Sequence, residues 1–250
     1  IGMNAVPPPT LAAPIDLRCE FTDSDMRKIS DWDGLAYLRA DYADPGALTR
    51  YFPLPLQVAR GEGGMQAWFE FEDGRPIAVT TDLAVKNARV QLPVATGASG
   101  AIQPEPLDLA TLTGRLSWRE KKISRGDAKP LISQQRWSIR DVVAITPAGV
   151  RAPTGTGEVL VDYRDDVVSG GALRVSEFDL ANAAAIARTL PLTSDVASQL
   201  VALKPSGVVR NVDLKWRDEG ASALLGRYFV EGGAELRNLS WRQQGGAMGV

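Results

Sequence analysis

Apolar and polar residues alternate along most of this chain, and the tetrapeptide LSWR shows the pattern most clearly. It occurs at Leu116–Arg119 and again at Leu239–Arg242, and a near copy, LKWR, lies at Leu214–Arg217. In a strand, alternate side chains point to the same face. The Leu and Trp of each copy therefore share one face, while Arg and the Ser or Lys share the other. Each copy predicts an amphipathic strand with a bulky apolar face.

The same alternation predicts a chain made mainly of β-strands. IDLRCEFT and GLAYLRADY are expected near the beginning, and GGMQAWFEFEDGRPIAVTTDLAVKNARVQL follows with a turn at EDGRP. Later strands are predicted from QQRWSIRDVVAIT, GEVLVDYR, GALRVSEFDL, VVRNVDLKWR, RYFVEG and AELRNLSWRQ. Their turn signals recur at a spacing typical of all-β folds. In GLAYLRADY the two expected faces are Leu35, Tyr37, Arg39 and Asp41 on one side and Ala36, Leu38, Ala40 and Tyr42 on the other.

About three short helices are predicted between the strands. The first covers 44–52, with Asp44 as its N-cap. The second covers 180–190 and is capped by Asp179, and the third covers 194–203. One face of the second helix is expected to contain Leu180, Ala183, Ala187 and Leu190, and one face of the third Val196, Leu200 and Leu203.

A unit larger than the tetrapeptide is also repeated. ALTRYFPLP at Ala47–Pro55 aligns with AIARTLPLT at Ala185–Thr193, and each is followed by a glycine turn and a strand bearing Trp. Repetition of this kind favours an extended architecture over one compact site. We therefore expect residues 1–250 to form one repetitive β-rich segment with two subunits, 15–130 and 131–250.

Composition argues against several classes of function. The 250 residues carry a net charge of −2, so no basic field points to nucleic acid. Histidine is absent and Cys19, expected in a strand, is the single cysteine. A catalytic triad, a histidine base and a His/Cys zinc site are thus not expected, and we predict no enzyme, no metal and no cofactor. No run of 18 apolar residues occurs, and the missing initiator Met suggests a piece of a larger protein whose anchor lies elsewhere.

Other motifs are better explained without a ligand. We expect turns at the adhesion tripeptide Arg125–Asp127, at the glycines of Arg60–Gly64 and at APTGTGE. Asp165 and Asp166 are neighbours on a strand and point apart, unlike a glycosidase pair. The basic residues of WREKKISR are predicted to lie in a solvated loop, with a contact to a lipid headgroup or a partner as the alternative; they are Arg119, Lys121, Lys122 and Arg125.

The candidate site is the apolar face of the Trp-bearing strands. Its Leu-x-Trp pairs fill a closed sandwich core or line an apolar groove, and the pattern allows both. Trp68 departs from it, because it shares a face with Gln66 and Glu70. The residues predicted to line a groove are Leu116, Trp118, Leu214, Trp216, Leu239, Trp241, Phe69 and Phe71.

Four longer stretches carry a family resemblance. They are GLAYLRADYADPGALTRYFPLPLQVARGEGGMQAWFEFEDG, PLDLATLTGRLSWR, DLANAAAIARTLPLTSDVASQLVALKPSGVVRNVDLKW and AELRNLSW. In order and spacing the chain resembles the AsmA-like YhdP family of large bacterial envelope proteins anchored in the inner membrane. The match falls in the N-terminal third of such proteins.

The resemblance implies both a fold and a role. Family members are thought to form a long antiparallel sheet curled into a groove, and to move phospholipid between the inner and outer membranes. For this chain it implies a periplasmic segment whose partners are phospholipid acyl chains and the remainder of the same protein, without catalysis. The alternative is a structural or protein-interaction β module that binds no lipid.

Overall fold

The described residues form a single open β-sheet. In a computed structural model, the structure describes residues 2–6, 12–22, 32–44, 57–91, 104–123, 132–151, 155–164, 167–190, 194–219 and 228–241. Eleven strands pair antiparallel in the order of the chain, so β1 and β11 form the two edges of this sheet. The strands are β1 Gly2–Ala5, β2 Ile15–Phe21, β3 Gly34–Ala43, β4 Gln57–Glu72, β5 Arg75–Gln91, β6 Leu107–Ile123, β7 Ile132–Ile145, β8 Gly157–Arg164, β9 Val167–Asp179, β10 Ser206–Asp218 and β11 Tyr228–Ser240. The predicted mainly β, antiparallel class is confirmed.

Several strands are interrupted near the middle. The register of β3 against β4 shifts between Ala40 and Ala43. Asn87 in β5, Asp141 in β7 and Asn211 in β10 have φ angles of 51°, 53° and 51°. Asn and Asp enter this left-handed region more readily than other non-glycine residues. Because bulges bend the strands that carry them, these interruptions fit a sheet curled into a groove.

The bulge in β3 changes which residues share a face at the end of this strand. Ala36, Leu38 and Ala40 are buried as the alternation predicts, but Tyr42 is exposed and Ala43 is fully buried instead. At a bulge an extra residue is inserted without a partner, so the alternation shifts by one position. The prediction that Tyr42 shares the face of Ala40 was therefore wrong.

Two helices connect β9 to β10. Helix α1 is Leu180–Ala185, a 3-10 turn follows at Ala187–Thr189, and α2 is Ser194–Leu203. Asp179 caps α1 as predicted, since its Oδ1 accepts a hydrogen bond of 2.8 Å from the backbone N–H of Asn182. The single helix predicted over 180–190 was too long, because the chain tightens after Ala185. The predicted α2 bounds are confirmed, although Leu203 is exposed.

Three segments that were predicted to be turns, loops or separate strands belong to continuous strands. The glycines of Arg60–Gly64 lie inside β4, and Arg119–Lys122 lies inside β6 rather than in a loop. RYFVEG and AELRNLSWRQ contribute to one strand, β11. A Cβ at Gly63 would collide with the Ala84 carbonyl oxygen, so this glycine allows close approach of β4 and β5 and does not form a turn.

Some predictions fall outside the described residues. These are the helix at 44–52, the tripeptide Arg125–Asp127 and the pair Asp165–Asp166. The boundary between the proposed subunits also lies there, and β6 and β7 pair with each other on its two sides. The division into 15–130 and 131–250 stays a prediction.

The main buried cluster lies at one end of the sheet. There Ile186, from the segment after β9, shares one buried cluster with residues of β5, β6 and β7, namely Val85, Ala88, Val90, Leu107, Leu109, Val142 and Ala144. A backbone hydrogen bond of 3.0 Å from the Glu105 N–H to the Arg188 carbonyl fastens this segment in place. We call this cluster the covered end. Elsewhere the buried residues are mostly small, and among the described residues no large side chain is less than 2% exposed.

Candidate functional site on one face of the sheet

Strand register places one residue from each of ten strands in a single line. Residues directly opposite each other in an antiparallel pair share a face. The line crosses the sheet from β2 to β11 through Cys19, Ala36, Phe69, Val79, Trp118, Trp137, Val159, Leu173, Leu214 and Gly232. It contains no charged residue, and we call it the apolar row. At about 4.8 Å between strands it extends roughly 43 Å.

Two further rows flank the apolar row on the same face. The row two residues away on one side contains Leu17, Leu38, Ala67, Thr81, Leu116, Ile139, Gly157, Val175 and Val212. The row on the other side includes Phe71, Glu120, Gln135, Val161, Gly171, Trp216 and Val230. The three rows together form the apolar face. Glu120 and Gln135 are the polar exceptions among these seven residues.

The structure brings the predicted groove residues onto this face. Phe69, Trp118 and Leu214 lie in the apolar row, and Leu116, Phe71 and Trp216 lie in the rows beside it. Leu239 and Trp241 flank Ser240 at the edge strand. The register of β11 shifts by one residue between Arg237 and Ser240, where Asn238 has a φ of 53°, and this shift puts both side chains on the side of Leu236. Their exposed fractions are 42% and 60%. Whether any of these eight residues contacts a lipid stays a prediction.

Trp137 was missed by the sequence analysis. It lies directly opposite Trp118, with ring centroids 6.2 Å apart and ring planes at 54°. The signal was present in RWSIR, where Trp137 and Ile139 repeat the Leu-x-Trp alternation in reverse order. These two indoles form the widest aromatic surface of the apolar row.

A glycine makes room for the third indole of this face. Gly171 lies directly opposite Trp216, and a Cβ on it would collide with the Trp216 ring. The indole therefore lies close to the backbone of β9 at this position. A depression of about 1040 Å³ adjoins it, bounded by residues that include Ser169 and Phe229. A second depression, of about 700 Å³, lies around Tyr37 of β3 and Trp68 of β4.

The three indoles of the apolar face are half-buried rather than enclosed. Trp118, Trp137 and Trp216 are of intermediate exposure. The described strands belong to one sheet, and no second sheet in that part of the chain packs against them. The closed-sandwich interpretation of the Leu-x-Trp strands therefore lacks its second layer in the described structure.

The opposite face is polar and contains several ion pairs. Arg115 Nε donates to Asp82 Oδ1 over 2.6 Å, and this hydrogen bond holds the pKa of Asp82 below its ordinary value. Arg174 lies 3.5 Å from Asp213 on the same face. Trp68 points to this side, 38% exposed and 5.8 Å from the Arg115 guanidinium, as its sequence context predicts. The sheet thus separates a charged face from an apolar one.

The described residues contain neither a candidate metal site nor a helix that could span a membrane. No three His, Cys, Asp or Glu side chains are grouped so that they could hold a metal ion. Neither of the helices seen there combines the length and the apolarity needed to cross a membrane.

A family model described as YhdP protein matches residues 2–250. The chain belongs to the YhdP family. Membership confirms the resemblance read from the sequence, and it fits a role broadly related to lipid transport. No curated protein and no solved structure matches the chain.

Proposed function

We propose that this YhdP-family chain binds phospholipid acyl chains along its apolar face, as a non-enzymatic segment of a larger periplasmic protein that carries lipid between the inner and outer membranes. The observation that carries the proposal is the apolar row. It continues across ten strands without a charge and without a second protein layer in the described structure.

The energetics of such a face suit lipid retention. Each methylene removed from water contributes about 0.8 kcal/mol, so a whole acyl tail gains on the order of 10 kcal/mol. A lipid held in this way would rarely leave through water. Because each strand offers a similar apolar position about 4.8 Å from the last, the same tail would move along the row with little change in buried area.

The proposal is tested with two adjacent residues of β8 that face opposite ways. Val159 lies in the apolar row opposite Trp137, and Leu160 lies on the charged face opposite Arg136; both are half-buried. The chain is incubated with phospholipid vesicles and re-isolated, and bound lipid is counted by native mass spectrometry. We expect Val159→Asp to lose most of the bound lipid, because it places a charge in the acyl path. Leu160→Asp should retain it.

Circular dichroism of both variants shows that the comparison is between folded chains. A wild-type chain that holds no lipid, or equal loss in the two variants, would contradict the proposal. The first of these results would favour a structural or protein-interaction module whose apolar face is covered by protein.

A further inference from the structure

One carboxylate lies on the apolar face next to its aromatic residues. Glu120 follows Trp118 by two positions in β6, so its side chain leaves the strand on the same face. It lies directly opposite Gln135 of β7 and is half-buried. Asp82, Asp213 and Glu158, which pair with arginines, lie on the opposite face. Glu120 therefore differs from them in both position and surroundings.

Two described neighbours of Glu120 on β7, Gln135 and Ser133, are polar but uncharged. Ser133 Oγ donates a hydrogen bond of 2.8 Å to Glu120 Oε1. Tyr163 lies opposite Ser133 across β7 and β8. Burial, and then the negative charge of Glu120, raises the pKa of the Tyr163 hydroxyl. Among the described residues, no arginine or lysine forms an ion pair with Glu120.

The surroundings suit an ammonium group attached to an apolar body. Trp118 and its neighbour Trp137 present indole rings, whose faces attract cations. Lys122 lies two positions beyond Glu120 on the same face, about 7 Å further along the strand, and is exposed. It too forms no ion pair with a described residue. Along β6, the carboxylate of Glu120 therefore comes directly after the indole of Trp118, and the ammonium of Lys122 comes after that, near the end of the strand.

We propose that Glu120, Ser133, Tyr163 and Lys122 form a headgroup subsite for a phospholipid that carries an amine. The ammonium lies against the Glu120 carboxylate, the phosphate lies against Lys122, and the acyl chains extend onto the apolar row. An anionic headgroup without an amine would leave the Glu120 carboxylate unpaired and would place the negative charge of the headgroup beside it. This subsite rests on the proposed function, because it requires the acyl chains to occupy the neighbouring row.

The test measures headgroup choice separately from total lipid. The 250-residue chain is incubated with vesicles of equal phosphatidylethanolamine and phosphatidylglycerol, and both bound lipids are counted by native mass spectrometry. We expect the wild type to enrich phosphatidylethanolamine over the input. Glu120→Gln keeps the size of the side chain and removes its charge, and it should lower the enrichment roughly tenfold, as loss of one charge-assisted contact allows. Glu120→Lys should favour phosphatidylglycerol.

A matched control comes from the charged face. Glu158 is also half-buried but pairs with Arg136 and Arg174, and Glu158→Gln should leave the lipid ratio unchanged. An unchanged ratio in Glu120→Gln, with total bound lipid as in the wild type, would overturn the subsite and leave the proposed function standing. Absence of both lipids from the wild type would overturn the two proposals together.

Discussion

The covered end and the apolar row belong to the same face of one sheet, yet they are packed differently. At the covered end Val85, Val90 and Leu109 are each 3% exposed, and they share a buried cluster with Ile186 from the segment after β9. In the apolar row the much larger Trp118 and Trp137 are only half-buried. Larger apolar side chains would normally be the more deeply buried ones.

The difference shows what covers each region. The chain supplies its own apolar cover where the residues beneath are small and aliphatic, and a backbone hydrogen bond from Glu105 to Arg188 holds that cover down. Over Trp118 and Trp137 of the apolar row, the described part of the chain supplies no such cover. Half-buried indoles without such cover mark a site for a ligand or a partner, and membership in the YhdP family fits a role broadly related to lipid transport.

Removing the cover should have the largest effect on stability. Ile186 is 5% exposed and belongs to the buried cluster formed with residues of β5, β6 and β7, so Ile186→Ala should lower the free energy of unfolding by about 2–5 kcal/mol. Urea denaturation followed by circular dichroism measures the change. Leu239→Ala serves as the control, because Leu239 is 42% exposed on the edge strand and should cost less than about 0.5 kcal/mol. Equal losses would show that the two regions are not packed differently.

The stability of the fold at high pH should depend on Tyr163, which is half-buried on the apolar face. The pKa of Tyr163 is raised from 10.0 by burial and by Glu120, so folding favours its neutral form. Its contribution is fully present below pH 10 and is lost as the pH rises through the folded pKa. Tyr163→Phe should therefore flatten the fall in stability above that pH. Urea midpoints measured on both sides of it compare the variant with the wild type, and identical profiles would contradict the assignment.

The smallest effect is expected on the charged face. The Arg115 hydrogen bond lowers the pKa of Asp82 below 3.8, so this pair stabilises the fold above that pH and the contribution is lost as the pH falls. Because the Asp82 side chain is 37% exposed, solvent screens the pair and the contribution should be small. Asp82→Asn should weaken the acid dependence slightly. A steep loss of stability in this variant at neutral pH would show that the charged face contributes more than its exposure indicates.

Much of the sheet could be predicted because the signal in a strand is local. Alternation alone located the strands around Leu116–Arg119 and Leu214–Arg217, and the Asp179 cap marked the start of α1. The failures have non-local causes. Tyr42 changes face at a bulge, and Arg60–Gly64 continues a strand because Gly63 allows close approach to its partner.

The candidate site was predicted in part for the same reason. Each Leu-x-Trp copy indicated its own apolar face, but only strand register shows that Trp137 lies opposite Trp118. Register also brings Glu120 beside Ser133, which is 13 positions away along the chain. Ile186 escaped notice because a helix face was expected over 180–190, whereas the chain leaves the helix at Ala185 before this residue turns inward.

The central claim is that the apolar face meets lipid and the charged face does not. Trp118 and Trp68 lie on opposite faces of neighbouring parts of the sheet, and tryptophan fluorescence distinguishes them. With vesicles containing phospholipid brominated on the acyl chains, we expect Trp118→Phe to remove a quenched part of the emission and Trp68→Phe to remove an unquenched part. If the two variants lose emission that is quenched to the same degree, or if the wild type is not quenched at all, the apolar row is not a lipid-binding surface.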